Sequence, residues 1–231
     1  MDIDDILADI DHDSIPQETK DLQMLTRAWV TERVAPDLQP HPEEIMQRVM
    51  TSISKQVSFI LFRRKSSYVT TSSQVELIEE QTSDMNPKTN FLLIVMQTEL
   101  ERLKFLVRSF LRARIAKIDA HPLHYRDSPH LSATEKQYLQ AHQALLSTHY
   151  GASFLSQFPN SLQRLDDTTG GISMVDTPDT DKAVFCRVLR DIGVVNIEGT
   201  DVRCDMRRGD VWVIRWSAVR NAVLVGDVEL I

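Results

Sequence analysis

The fold class follows from residues 96–119, which read MQTELERLKFLVRSFLRARIAKID and contain neither glycine nor proline. Apolar residues recur there every three or four positions, the spacing of one face of an α-helix. The row comprises Leu93, Met96, Leu100, Leu103, Val107, Phe110, Leu111, Ile115 and Ile118. Phe105 and Leu106 lie off that row and widen the apolar face. A helix that is apolar over more than one face must pack against several neighbours, so the sequence predicts the central helix of a bundle.

The composition narrows the class of protein. The chain has 231 residues, enough for one large domain or two smaller ones, and a formal net charge of -7. Domains whose main role is to coat nucleic acid are usually clearly basic, so this charge argues against that role. The apolar runs fall well short of the roughly 20 residues that span a bilayer. Cys186 and Cys204 are too few for a disulfide scaffold and predict a reducing compartment.

Residues 1–13 combine an apolar helix face with a surplus of aspartates. The four apolar positions that share this face are Ile3, Ile6, Leu7 and Ile10. A helix this short is marginal in water on its own. The segment is therefore either an unstructured acidic tail or a motif that folds on a partner.

Helical patterns also flank the central helix. One helix is predicted over 17–33 and another over 42–65, where the leading proline suits the first helical position. Residues 66–90 are rich in Ser, Thr and Gln and are typical of a connection. A loop is predicted over 121–130. Residues 132–135, which read SATE, match a capping box and predict that a further helix begins there.

Short β-type runs replace the helical spacing after residue 165. They cover 183–189, 194–197, 202–206 and 211–216, followed by a helix over 217–225 and a last strand over 228–231. The predicted class is mainly α, with an N-terminal helical bundle domain and a small C-terminal β-rich domain. The predicted parts are a flexible acidic N-terminal motif (1–16), the helical domain (17–165) and the β-rich domain (166–231).

The sequence offers little catalytic chemistry. It has no glycine-rich phosphate loop before a Lys-Ser or Lys-Thr pair and no Gly-x-Ser-x-Gly elbow. His121, His124 and His130 lie in a proline-containing stretch without the cysteine or His-Glu-x-x-His helix that would complete a metal site. A solvated or interface loop explains them better. The sequence therefore predicts a protein that is not an enzyme and that uses no cofactor or metal.

A row of basic residues on the central helix has two explanations. Lys104, Arg108 and Arg112 are spaced by four and share one helix face, where like charges repel each other weakly. Glu101 is placed to offset only the first of them. The row is either a solvated face or a contact for an anionic surface, such as an acidic protein or a phosphate backbone.

Several stretches resemble the Sld-five subunits of the GINS complex, also called GINS subunit four. They are the central helix (MQTELERLKF at 96–105, then RS at 108–109 and KID at 117–119), AW at 28–29, ER at 32–33, APDL at 35–38, FLSQFPNSLQ at 154–163, VIRW at 213–216 and VELI at 228–231. The start, MDIDDILA at 1–8, resembles fungal members. The resemblance covers nearly the whole chain in order.

The resemblance implies a non-catalytic scaffolding subunit of a nuclear four-protein complex. Its expected partners are the three other GINS subunits, the replicative helicase motor and the Cdc-forty-five protein, which together unwind DNA at origins and forks. Ile3, Ile6, Leu7 and Ile10 resemble the motif by which fork proteins bind the trimeric replisome hub. Leu230 and Ile231 are candidate assembly contacts. The alternative is a DNA-binding helical adaptor that uses the Lys104, Arg108 and Arg112 face; otherwise DNA contact is expected to be indirect or weak.

Overall fold

The computed structural model describes residues 16–68, 87–159, 163–164, 166, 173–197 and 203–231. At 60–68 and 87–90 the description is limited to the main chain. The helices of the N-terminal part are α1 Gln17–Val34, α2 Glu43–Tyr68, α3 Pro87–Ala120, α4 Pro122–Tyr125 and α5 Ala133–Ser153, followed by a 3-10 turn over Leu155–Gln157. The predicted mainly α class with a small strand-containing C-terminal part is confirmed. Within the described ranges, no helix is long and apolar enough to cross a membrane.

The helix limits follow the sequence closely, with two differences. α3 begins at Pro87, inside the stretch predicted as a connection, because proline is favourable in a first helical turn. The loop predicted after Asp119 is wrong in part, since α4 forms one helical turn there with Pro122 at its start and Tyr125 buried. The capping box is confirmed: Ser132 accepts from the Glu135 N–H, and the Glu135 side chain accepts from the Ser132 N–H.

Burial along α3 follows part of the predicted apolar row. Leu100, Val107, Phe110 and Ile118 are buried, and so is Leu106, which lies off that row. The other five members of the row are less buried than predicted. Ile115 is exposed, and the half-buried members are Leu93, Met96, Leu103 and Leu111.

The C-terminal strands form two small antiparallel sheets. Strands β4 and β5 flank β1 in the first sheet, and β2 pairs with β3 in the second. The elements are β1 Ala183–Val188, β2 Gly193–Asn196, β3 Arg203–Met206, β4 Val211–Arg215, α6 Trp216–Val225 and β5 Val228–Leu230. Gly226 ends α6 with φ 89°, a left-handed conformation that glycine adopts without strain.

The chain divides into two compact units. The first runs to Thr26 and resumes over Glu43–Ser109. Its best-defined polar contact joins α1 to α2, where Asp21 accepts hydrogen bonds from Arg48 Nε and Nη2 at 2.9–3.1 Å. These hydrogen bonds hold the pKa of Asp21 below its ordinary value. Residues of α1, α2 and α3 also line an open groove of about 610 Å³ in this unit.

The second unit comprises Arg27–Pro42 and Phe110–Ile231. One apolar cluster contains Leu38 and residues of α3 to α5. The other, which we call the β cluster, joins Ala35 to residues of every strand except β2 and of α6; its buried members are Val184, Cys186, Val188, Cys204, Met206, Ile214, Trp216, Val219, Val228 and Leu230. The segment after α1 thus packs in the core of the C-terminal strands. The predicted domain limits, after residues 16 and 165, remain predictions.

Leu230→Asp should open the β cluster. Leu230 is 5% exposed, and an unpaired charge in such a place costs several kcal/mol. Both cysteines of the chain, Cys186 and Cys204, are buried in the same cluster. We therefore expect a thiol-specific reagent to label the Leu230→Asp chain rapidly under native conditions.

The neighbouring Ile231 supplies the matched control. Its side chain is 50% exposed, so Ile231→Asp should leave both thiols as protected as in the unchanged chain. Equal, slow labelling of the two variants would contradict a buried role for Leu230.

Candidate partner-binding site

A buried arginine, Arg114 of α3, lies at the centre of the second unit. Its side chain is 0% exposed, although removing a guanidinium from water is costly unless its donors are paired. It donates to the carboxylates of Glu32 at 2.9 Å and of Glu135 at 2.7 and 3.0 Å. It also donates to the main-chain carbonyls of Gln39 at 2.7 Å and His130 at 2.9 Å. The planar fork of arginine makes such multiple contacts possible.

A second cation completes the charge balance. Lys117, one helical turn after Arg114, donates to Glu32 Oε1 at 2.7 Å and to the Asp37 carbonyl at 2.7 Å. Burial lowers the pKa of Lys117, although the carboxylate of Glu32 acts in the opposite direction. Two cations therefore face two buried carboxylates, which we call the Arg114 network.

The Arg114 network connects to the start of α5 through the capping box. Burial alone would raise the pKa of Glu135, but hydrogen bonds from Arg114 and the Ser132 N–H outweigh burial and lower it. The Glu135 carboxylate therefore both caps α5 and pairs with the Arg114 guanidinium of α3. This shared role fixes where α5 begins relative to α3.

Two further contacts bind the segment after α1. The Leu38 N–H donates to the Tyr125 hydroxyl at 3.1 Å, and burial raises the pKa of Tyr125 to about 12. Asp37 pairs with Arg220 of α6 at 3.1 Å. The Arg114 network and these contacts together join α5 and α6 to the parts of α1 and α3 that belong to the second unit.

Sequence analysis did not single out Arg114. Its spacing from Phe110 and Ile118, four residues each way, places it on the buried side of α3. A charged residue on an apolar helix face is the signal that the sequence offered.

The predicted basic row is paired with acidic charge more extensively than expected. Glu101 lies 3.0 Å from Lys104 Nζ and 3.7 Å from Arg108 Nη2, so the expectation that it offsets only Lys104 is wrong. Arg108 and Arg112 are exposed, and Lys104 is half-buried.

The other predicted site residues divide into three groups. Ile3, Ile6, Leu7 and Ile10 lie outside the described residues. Leu230 points into the β cluster, so it stabilises the chain's own core, whereas Ile231 is available at the surface. Among the described residues, no group of three or more His, Cys, Asp or Glu side chains is arranged to hold a metal.

Among the exposed large apolar side chains of the described residues, two groups stand close together. In the first unit, the N-terminal end of α3 exposes Phe91, Leu92, Ile94 and Val95. In the second, the outer face of the three-stranded sheet exposes Phe185, Val211 and Val213, with Phe185 directly opposite Val213 in the strand register. Contiguous apolar patches of this kind mark interaction sites in proteins.

The fold and these surfaces define a helical protein with a small β-rich part and exposed apolar surfaces. Two family models match it: one described as the GINS complex protein helical bundle domain, over residues 68–154, and one described as the DNA replication complex GINS protein SLD5 C-terminus, over residues 178–231. The chain belongs to the SLD5 family of GINS proteins.

Curated relatives agree with the family models over the full chain. The chain is 47% identical to DNA replication complex GINS protein SLD5 of Chaetomium globosum, with all of both chains aligned. It is 37% identical to the protein of that name in Yarrowia lipolytica, over 100% of this chain and 85% of the relative. The Schizosaccharomyces pombe protein is 36% identical over 91% of this chain and 92% of its own length. The predicted resemblance to fungal Sld-five subunits is confirmed.

Arg114→Lys should destabilise the chain strongly. A lysine keeps the charge but replaces the arginine fork by one ammonium, which leaves part of Glu32, Glu135 and two carbonyls unpaired. We expect the melting midpoint to fall by roughly 5–10 °C, as for a broken buried ion pair. Arg112→Lys, two residues away on the exposed side, should not shift it. Equal midpoints for the two variants would exclude a central role for the Arg114 network.

Glu135 should make the protein sensitive to acid. Because its pKa is lowered from the ordinary 4.5, its contribution to stability is present above that pH and lost as the pH falls through the folded-state value. Glu135→Gln should therefore lower the melting midpoint at pH 7 and flatten its decline between about pH 5 and pH 3. Glu99→Gln, at an exposed position of α3, should leave the decline unchanged. An identical decline for Glu135→Gln would contradict this assignment.

Proposed function

We propose that this chain is a non-catalytic scaffolding subunit of a four-protein GINS complex. The observation that carries the proposal is the exposed row Phe91, Leu92, Ile94 and Val95 on α3. Packing of partner helices against this row would remove a large apolar area from water, which is the main favourable term in stable association. The curated relatives are named as proteins of a DNA replication complex, so the proposed partners are the three other GINS subunits.

We extend this proposal to the assembly that the family resemblance implies. In it, the GINS complex joins the replicative helicase motor and the Cdc-forty-five protein in the nucleus and activates DNA unwinding in initiation and fork progression. The names of the relatives support a replication role. The chain would contribute rigid docking surfaces to this assembly and no chemical step.

The N-terminal motif is a separate part of the proposal. Ile3, Ile6, Leu7 and Ile10 would bind the trimeric replisome hub, with the intervening aspartates favouring a basic rim. This part rests on the sequence pattern and the resemblance alone.

Direct DNA binding through Lys104, Arg108 and Arg112 is the weaker alternative. Glu101 lies close to both Lys104 and Arg108, which reduces the charge that a phosphate backbone would meet. No contact in the described residues favours DNA over an acidic protein at this face.

Co-expression with the three other GINS subunits tests the scaffolding proposal. We expect an equimolar tetramer on sizing, and we expect the chain to aggregate when it is produced alone because its apolar rows are then uncovered. A double variant, Phe91→Glu with Ile94→Glu, should lose the tetramer, since charges in an interface core are strongly unfavourable.

The matched control changes polar residues of the same helix. Gln97 and Thr98 are exposed, so Gln97→Glu with Thr98→Glu should still assemble. A thermally stable monomer that ignores its proposed partners, or normal assembly of the Phe91 and Ile94 variant, would contradict the proposal.

A further inference from the structure

A cleft of about 260 Å³ lies in the second unit, between α1 and the C-terminal α6 and β5. Its buried apolar lining residues are Phe110 and Val228, and its buried polar ones are Glu32 and Gln39. Leu224 of α6 lines the cleft and is 47% exposed. The cleft therefore has apolar side chains both in its interior and at its opening.

Two arginines share one carboxylate of the cleft lining. Arg27 of α1 pairs with Glu229 at 3.4 Å, and Arg187 of β1 pairs with the same carboxylate at 3.5 Å. Arg27 and Arg187 are 65% and 53% exposed, so both guanidiniums remain partly in water. Two cations share one carboxylate, and an added acidic group would complete the pairing.

The remaining acidic residue of the lining does not change this balance. Glu32 is fully buried and is already paired with Arg114 and Lys117. Its negative charge is therefore neutralised within the Arg114 network. The charged lining residues that remain are Arg27 and Glu229, and Arg187, outside the lining, shares the Glu229 carboxylate.

The volume of the cleft limits the kind of group that can occupy it. Small-molecule sites commonly measure about 300–1,000 Å³, so this cleft, at about 260 Å³, is smaller than that range. It suits a single large side chain, the kind of anchor that dominates protein interfaces. Val225, the next residue after Leu224, is 71% exposed and is not part of the cleft lining.

We propose that this cleft receives a bulky apolar side chain, leucine, methionine or phenylalanine, from another GINS subunit, on a segment that places an aspartate or glutamate against Arg27. This inference rests on the proposed function and names a contact within that assembly. The apolar anchor supplies most of the affinity, because it leaves water entirely. The acidic neighbour fixes the direction in which the segment lies, because it pairs with the Arg27 guanidinium, which shares its one carboxylate partner with Arg187.

Substitutions in the co-expressed tetramer test the cleft. Leu224→Asp should raise the dissociation constant of this chain from the other three subunits by about tenfold or more, the effect of losing one interface anchor. Val225→Asp changes the adjacent residue, which does not line the cleft, and should change the constant by less than about twofold. Arg27→Glu should weaken assembly more at low salt than at high salt, because exposed charges are screened.

Two controls separate the outcomes. Thiol labelling of Cys186 and Cys204 should be unchanged in all three variants, which shows that the β cluster has not opened. If the unchanged chain forms no tetramer, the proposed function fails and this inference with it. If the tetramer forms and Leu224→Asp assembles as well as Val225→Asp, the cleft proposal alone is overturned.

A photo-crosslinking residue at position 224 identifies the occupant. In the purified tetramer it should attach to a peptide of another GINS subunit that contains a large apolar residue next to an acidic one. Attachment only within this chain, or to a peptide without those residues, would overturn the proposal. Ala28→Phe should fill the cleft from α1. If this variant raised the melting midpoint and left assembly intact, the proposal would also be overturned.

Discussion

Arg114 imposes the constraint on which the second unit depends, because a fully buried guanidinium is tolerated only where all its donors find acceptors. Those acceptors come from α1, the segment after α1, the loop before α5 and α5 itself. None of these elements can move far without leaving a buried charge unpaired. The network is thus a geometric requirement more than a source of net stability, since well-packed apolar residues can replace buried ion pairs at little loss.

This constraint reaches the C-terminal strands through neighbouring residues. Ala35 lies in the β cluster, Asp37 pairs with Arg220 of α6, and Glu32 belongs to the Arg114 network. These residues lie within one helical turn and the segment that follows it. The strands are therefore fixed to the helices by both apolar packing and charge. Surfaces held this firmly lose little conformational freedom when they bind, which favours affinity at a given area.

The sequence predicted the features that depend on local patterns. The central helix, the capping box at Ser132 and most strand limits follow from spacing and turn chemistry, which neighbouring residues determine. Arg114 was missed because its partners lie far along the chain: Glu32 is separated from it by 82 positions and Glu135 by 21. Leu230 and Ile231 appeared equivalent in sequence, but the pairing of β5 with β1 turns the first into the core and leaves the second outside.

The exposed apolar residues need a different explanation from the buried ones, although both follow the same helical and strand patterns. Leu100 and Val107 are covered by the chain itself, whereas Phe91 and Ile94 on the same helix are not. Polar residues at the latter positions would suit the isolated chain better, because exposed apolar rows favour aggregation. Their presence is explained if a partner protein covers those rows in the assembled state. Under the scaffolding proposal, the N-terminal end of α3 would contact another chain, whereas its C-terminal end carries Arg114 and organises the second unit of its own chain.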